Sequence, residues 1–208
     1  MAKIIPAKND IVFKILFSSN KDILRAFLYD VLDIEVESVN DIMILNPEVP
    51  PDFADGKYSR LDINVKTKEQ NINIEMQVAN KSHYRERVLF YWSKMYSDSL
   101  EKGESYSELK KSYSVSILDF NMFDCETYHS SFSILEDKRY ERLTDKLSMH
   151  FFELKKLNQS MAENDRIQQW MRLINAESEE EFSMLQQTNN PAIQDGIRVI
   201  YELSEDEK

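Results

Sequence analysis

Two neighbouring runs, SRLDINVKT (residues 59–67) and NINIEMQVA (71–79), alternate polar with apolar side chains. A strand sends every second side chain to the same face, so each run has one apolar and one polar face. In the first run Leu61, Ile63 and Val65 point one way and Arg60, Asp62 and Asn64 the other. In the second, Ile72, Ile74, Met76 and Val78 oppose Asn73, Glu75 and Gln77. Residues Lys68 to Asn71 suit a tight hairpin connection. Counting back from that turn brings the Asp62 and Glu75 carboxylates near each other on one face. Two carboxylates held close on a rigid sheet repel unless a cation lies between them. A hard divalent ion with oxygen ligands, such as Mg²⁺, meets that need. Alternating polar residues also fit a sheet with one face in water, so the pattern alone leaves both readings open.

The chain has 208 residues, 42% of them hydrophobic, enough for an ordinary domain with a real core. No apolar run approaches the length that spans a bilayer. The first residues, MAKIIPAKND, lack the apolar stretch and small-residue cleavage site of a signal peptide. One cysteine, Cys125, excludes an internal disulfide and a cysteine-rich zinc site. A cytoplasmic protein with no membrane partner is expected. The net charge of −11 at first argues against nucleic acid. Residues 159–208 carry −7 of it, with 11 acidic and 4 basic residues, whereas residues 80–111 carry 7 basic and 5 acidic. A modest DNA-binding face is compatible with the first 158 residues, with affinity leaning on metal and a few phosphate contacts.

Along the chain, Asn9 and Asn20 are placed to cap two short helices carrying Ile11 to Phe17 and Ile23 to Leu32. VESVNDIMIL (36–45) reads as a strand, and the proline-rich NPEVPPDFADGKYS (46–59) as a connection into the hairpin. Tyr84, Val88, Tyr91, Trp92 and Met95 recur at three and four, which predicts a long helix stopped by Gly103. SYSVSILDF (112–120), YHSSFSILE (128–136) and LSMHFFELKKL (147–157) read as strands. From about Gln159 the pattern turns helical, with apolar faces at Ile167, Trp170, Met171 and Ile174, at Phe182, Met184 and Leu185, and at Ile193, Ile197, Val199 and Ile200. A soft boundary near 158 divides residues 1–158 from a C-terminal helical segment, 159–208.

The order of elements and the stretches NDIVFKILF, GKYSRLDINV, INIEMQ, YRERVLFYWSKMY, GESYSELKKSYSVSILDF and HFFELKKL resemble the PD-(D/E)xK nuclease superfamily. Within it the chain looks like the transposase-like branch, the Rpn (recombination-promoting nuclease) family. The resemblance covers roughly residues 8 to 157. It implies an α/β fold, a restriction-endonuclease-like core with a central mixed sheet flanked by helices, followed here by the C-terminal helical segment. It also implies a Mg²⁺- or Mn²⁺-dependent DNA endonuclease acting in recombination or mobile-element processing. Asp62 then matches the superfamily's metal-binding aspartate and Glu75 the acidic residue of the E-x-K element, with the Met76 backbone carbonyl completing the metal's protein ligands. Gln77 stands where the superfamily most often has lysine. A neutral glutamine can hydrogen-bond the attacking water but supplies no cation. Lys14 and Lys57 are candidates to replace that charge at the substrate.

Asp10 either helps hold a second metal or is a helix N-terminal acid favoured by the dipole, and Lys14, one turn on, can pair with it. Gly56 and Lys57 either bring backbone and charge to a phosphate or form an ordinary turn. Arg87 and Tyr91, four apart on the long helix, either bind a phosphate and stack on a base or lie on an amphipathic helix with Tyr91 against the sheet. His83 can reach substrate or lie at the surface. His129 and His150 have no zinc-ligand spacing. Cys125 has no basic neighbour to activate it. Cutting both strands requires two active sites, which makes a homodimer an expected partner alongside DNA. The competing class is a binding or interaction module on the same fold without catalysis, suggested by Gln77 and the net charge.

Overall fold

The computed structural model describes residues 4–45, 48–49, 59–60, 63–157 and 165–206. Its helices are α1 (Asp10–Ser18), α2 (Lys21–Leu32), α3 (Tyr84–Ser97), α4 (Arg166–Asn175), α5 (Glu179–Gln186) and α6 (Pro191–Asp206). Its strands are β1 (Met43–Leu45), β2 (Glu48–Val49), β3 (Ser59–Arg60), β4 (Ile63–Lys66), β5 (Gln70–Gln77), β6 (Lys111–Leu118), β7 (His129–Phe132) and β8 (Leu147–Glu153). Contacts divide the chain into two compact units, Met43–Glu153 and a helical unit of Met1–Ile42 with Leu154–Lys208. The boundary expected at 158 lies outside the described residues.

The first unit is a six-stranded mixed sheet in the order β1-β4-β5-β6-β8-β7. The hairpin read from the sequence is β4–β5, with Asn64 opposite Asn73 and Ile63 opposite Ile74. Its turn is tighter than expected: Asn71 already lies in β5, and the Thr67 amide donates to the Gln70 carbonyl at 2.9 Å. β5 and β6 run parallel with α3 as the crossover between them, and β8 adds parallel to β6. β7 closes the edge antiparallel to β8, and β2 pairs with β3 separately. Tyr84, Val88 and Trp92 of α3 pack on Leu118, Phe120, Leu147, Met149 and Phe151. The Trp92 indole N–H donates to the Ser112 carbonyl at 2.8 Å, which satisfies the one polar atom that burying this ring takes from water.

Two local expectations are corrected. The strand expected over 36–45 starts only at Met43, because the Ser38 hydroxyl caps a 3₁₀ turn over Val39–Asp41. The helix expected to run to Gly103 stops at Ser97. The Asp98 amide closes the last turn on the Lys94 carbonyl at 2.8 Å, and Gly103, at φ +97°, belongs to the loop beyond.

In the helical unit Asn9 and Asn20 cap α1 and α2 as their positions suggest. Phe13, Phe17, Phe27 and Trp170 form an aromatic cluster with ring centroids 4.9–6.1 Å apart. Ile193, Ile197 and Ile200 line the buried stripe of α6. Gly196 lets α6 approach α4, since a Cβ there would stand 2.7 Å from Leu173 Cδ2. Met184, expected on the apolar face of α5, is instead exposed. The ion pair foreseen on α1 forms, with Lys14 Nζ 3.2 Å from Asp10. Among the described residues no helix is long and apolar enough to cross a membrane.

Candidate active site

The alternation of β5 puts Asn73, Glu75 and Gln77 on one face, the face covered by α3. Glu75 is only 4% exposed, and so is Asn73. Each oxygen of the Glu75 carboxylate has its own partner. Asn73 Nδ2 donates to Oε1 at 3.2 Å, a contact between i and i+2 that the pleat makes local. On the other side, the Tyr84 hydroxyl lies 3.4 Å from Oε2 and 3.0 Å from Ser116 Oγ. Ser116 faces Glu75 directly in the parallel ladder, so the first residue of α3 reaches across two strands. Arg87 Nη2 stands 3.8 Å from Oε2, and its guanidinium lies 4.8 Å from the centroid of the Tyr84 ring.

Burial raises the Glu75 pKa above the ordinary carboxylate range, opposed by the Asn73 hydrogen bond, the Arg87 charge and the Tyr84 hydroxyl. Burial and the nearby Glu75 charge push the Tyr84 phenol up as well. Tyr84 therefore stays a neutral donor throughout the physiological range. Glu75 is an acid kept from water, and Arg87 is the cation beside it among the described residues.

The same face carries further polar side-chain atoms that are buried. Among the described residues, the amide oxygens of Asn64, Asn71 and Asn73 find no partner, nor do Asn71 Nδ2 and Arg87 Nε. Asn71 is fully buried. Ser112, Ser114 and Ser116 continue the polar row on β6. A face built only to pack would be apolar here, as the opposite face of the same strands is at Ile63, Val65, Ile72 and Ile74.

Of the residues singled out from sequence, Glu75, Arg87 and Gln77 fall within this unit, and Arg87 is joined to Glu75. Tyr91 is half-buried and its ring meets the edge of Phe90 at 5.5 Å. Asp62, Gly56 and Lys57 lie outside the described residues. Asp10 and Lys14 belong to the helical unit and hold each other. His83 is exposed at the head of α3, in the left-handed region at φ 62°, beside a polar cleft of about 220 Å³ also lined by Lys81, Ser82 and Arg85. Asn73, Tyr84 and Ser116 were not assigned site roles from the sequence. Their signals were faint: Asn73 lies two residues before Glu75 on its face, and Tyr84 lies one helical turn before Arg87.

A sequence model of the PD-(D/E)XK nuclease family transposases matches residues 7–208. The chain belongs to this family, and its mixed sheet with α3 against it is the restriction-endonuclease-like α/β fold that the family implies. No curated protein and no solved structure matches the chain significantly.

Proposed function

We propose that the protein is a metal-dependent DNA endonuclease of the recombination-promoting, transposase-like type, hydrolysing phosphodiester bonds. The observation that carries the reading is the buried Glu75 carboxylate, oriented by Asn73 and Tyr84 on a sheet face rich in unpartnered amide oxygens. The polar–apolar alternation of the sequence, with Asp62 directly before Ile63 and Glu75 directly after Ile74, supports Asp62 as the second acid. An all-oxygen set of two carboxylates and a backbone carbonyl at Met76 suits Mg²⁺ or Mn²⁺ rather than a softer ion.

Asp62 and Glu75 would hold the metal, which when bound polarises the scissile phosphate and acidifies water. The Glu75 rotamer is fixed in advance by its two hydrogen bonds, so little reorganisation is needed on binding. Gln77 orients the attacking water through its amide but contributes no charge. Arg87 supplies the cation that lysine gives in other superfamily members, moving from Glu75 to the phosphate. Tyr91 stacks on a base and Lys57 meets the backbone phosphate.

The test is nicking of supercoiled plasmid by purified protein with Mg²⁺, Mn²⁺ or EDTA. Cutting is expected with metal only, and Asp62→Ala or Glu75→Ala should lower it by about 100-fold or more while the fold persists. Folded variants that cut like wild type refute the assignment. One observation favours the alternative of a non-catalytic binding module: Gln77 leaves the E-x-K position without charge. Calorimetry with Mn²⁺ separates the two, because the module has no need to bind metal at millimolar concentration.

A further inference from the structure

Two cations singled out from sequence are already engaged in the folded chain. Lys14 pairs with Asp10, and Arg87 stands beside Glu75. A chain of net charge −11 that holds a polyanion needs further positive charge near its site. Beyond the carboxyl ends of the parallel strands β5 and β6 lies the polar cleft of about 220 Å³, lined by residues 80–86 and by Met122. Open α/β sheets bind their ligands outside such strand ends. One side chain joins the cleft to the candidate site: Tyr84 lines it, and the Tyr84 hydroxyl lies 3.4 Å from Glu75 Oε2. The two places are thus about one tyrosine side chain apart, the scale of a single phosphate-to-phosphate step along a strand.

One wall of this cleft is held in place by a buried acid. Glu153, sealed from solvent, accepts from the backbone amides of Met122 and Phe123. The loop so fixed holds Arg85 in turn. Arg85 Nη2 donates to the Met122 carbonyl at 2.8 Å, and the guanidinium lies 4.9 Å from the Phe123 ring centroid. A guanidinium carries several donors in a rigid fork, so one carbonyl leaves others unspent. Lys81 also lines the cleft; it is exposed, and no described residue pairs with it. Glu86 is the acid of the lining, so Lys81 and Arg85 leave it positive on balance. We propose that Lys81, Ser82 and Arg85 form an anion subsite that holds the DNA backbone phosphate next to the scissile one. The inference rests on the nuclease reading, since it takes Glu75 as the place of cutting. Arg85, fixed by the loop, sets the direction of approach; Lys81 supplies a point charge, and the Ser82 hydroxyl donates to a phosphate oxygen. Contacts of this kind fix the register of a strand over Glu75 without reading its sequence.

The experiment follows a fluorescein-labelled duplex binding to the full chain in EDTA, by anisotropy across a salt series, together with KM and kcat for plasmid cutting with Mg²⁺. Wild type is compared with Lys81→Ala, Lys81→Arg and Lys138→Ala, the last an exposed lysine between β7 and β8. Lys81→Ala should reduce the slope of log K against log salt by about 1 and raise KM about tenfold, with kcat held within about twofold. Lys81→Arg should restore both, and Lys138→Ala should change neither. Wild type that cuts DNA while Lys81→Ala keeps its slope and its KM overturns the subsite and leaves the nuclease reading standing. An equal drop in Lys138→Ala overturns it as well, because any surface charge would then serve. Inorganic phosphate, titrated at constant ionic strength, reads the cleft without DNA. Phosphate that binds wild type but not Lys81→Ala, with their DNA slopes equal, assigns the cleft to a free anion and overturns the substrate role. Wild type that neither binds nor cuts duplex DNA removes both readings.

Discussion

Arg87 stands 3.8 Å from the Glu75 carboxylate and is the cation that offsets its burial. The pair has a consequence for metal binding. Burial favours the protonated acid, and Arg87 favours the ionised one. Arg87→Gln removes the second influence, so the Glu75 pKa rises further and the proton competes better. The pH at which half-maximal Mn²⁺ binding is reached should move upward in the variant. Binding should weaken about tenfold at the acidic end of the titration, one pKa unit being ~1.4 kcal/mol, and converge with wild type at the alkaline end. A series of calorimetric titrations across pH checks this, and a midpoint that stays put or falls contradicts it.

Glu75 also sets a stability cost. Its folded pKa is raised, so the folded state binds a proton more tightly than the unfolded chain. Stability is then highest where the acid is protonated and declines as pH rises from the unfolded value of about 4.5 through the folded one. Glu75→Gln keeps the shape and an acceptor for Asn73 while removing the buried charge. In metal-free buffer the variant should match wild type in acid and exceed it at neutral pH, by about 1–3 kcal/mol. Urea unfolding at several pH values reads the difference. A glutamine variant weaker than wild type at neutral pH would show that the ion pair with Arg87 outweighs burial.

The cap asparagines, the alternating strands and the polar face that carries Glu75 were legible because each depends on residues close in sequence. Asn9 and Asn20 needed only the next three amides. Glu75 needed only the pleat. What escaped was set by distant partners. Tyr84 becomes a site residue because Ser116 lies beside Glu75 in a parallel ladder, a separation of 32 residues from Tyr84. Nothing near Gly103 shows that α3 has already ended at Ser97. Nor does local sequence join α1 and α2 to the C-terminal helices, although Phe17, Phe27 and Trp170 share one cluster. Met184 satisfied the helical period and still faces water, since an eight-residue helix has one narrow buried stripe at Phe182 and Leu185.

Asp30 of α2 is the polar counterpart of that aromatic cluster. Its carboxylate is 2% exposed and accepts from Trp170 Nε1 at 2.9 Å, Asn190 Nδ2 at 3.1 Å and Arg166 Nη1 at 3.3 Å. Three donors from α4 and the start of α6 converge on one acid of α2. Asp30→Ala strands a buried indole N–H and leaves the Asn190 amide with Gln169 Oε1 as its acceptor, which should cost about 1–3 kcal/mol. Asp30→Asn keeps acceptor geometry but loses charge and should cost less. Denaturant midpoints rank the three chains, and equal stability of alanine variant and wild type would show the cluster holds without its anchor.

Burial also governs two titrating rings at the β7–β8 edge. His129 Nε2 and His150 Nδ1 are 3.0 Å apart, and His150 Nε2 lies 2.8 Å from Ser148 Oγ. One proton fits between the two rings, so they cannot both be charged without losing the contact. Burial, then the neighbouring His129 and Lys111 charges, lower the His150 pKa to about 4, and burial lowers that of His129. A depressed histidine contributes stability that is complete above the unfolded value of about 6.5 and is lost as pH falls through the folded value. From the neutral range to pH 4 the loss through His150 should be about 3 kcal/mol. His150→Gln retains a hydrogen-bonding side chain without the titration, so its stability should decline less over the same interval. Parallel acid curves for the two proteins would place the lability elsewhere. The imidazole resonances of wild type supply an independent reading, with His150 expected to remain neutral at a pH where an exposed histidine is half protonated.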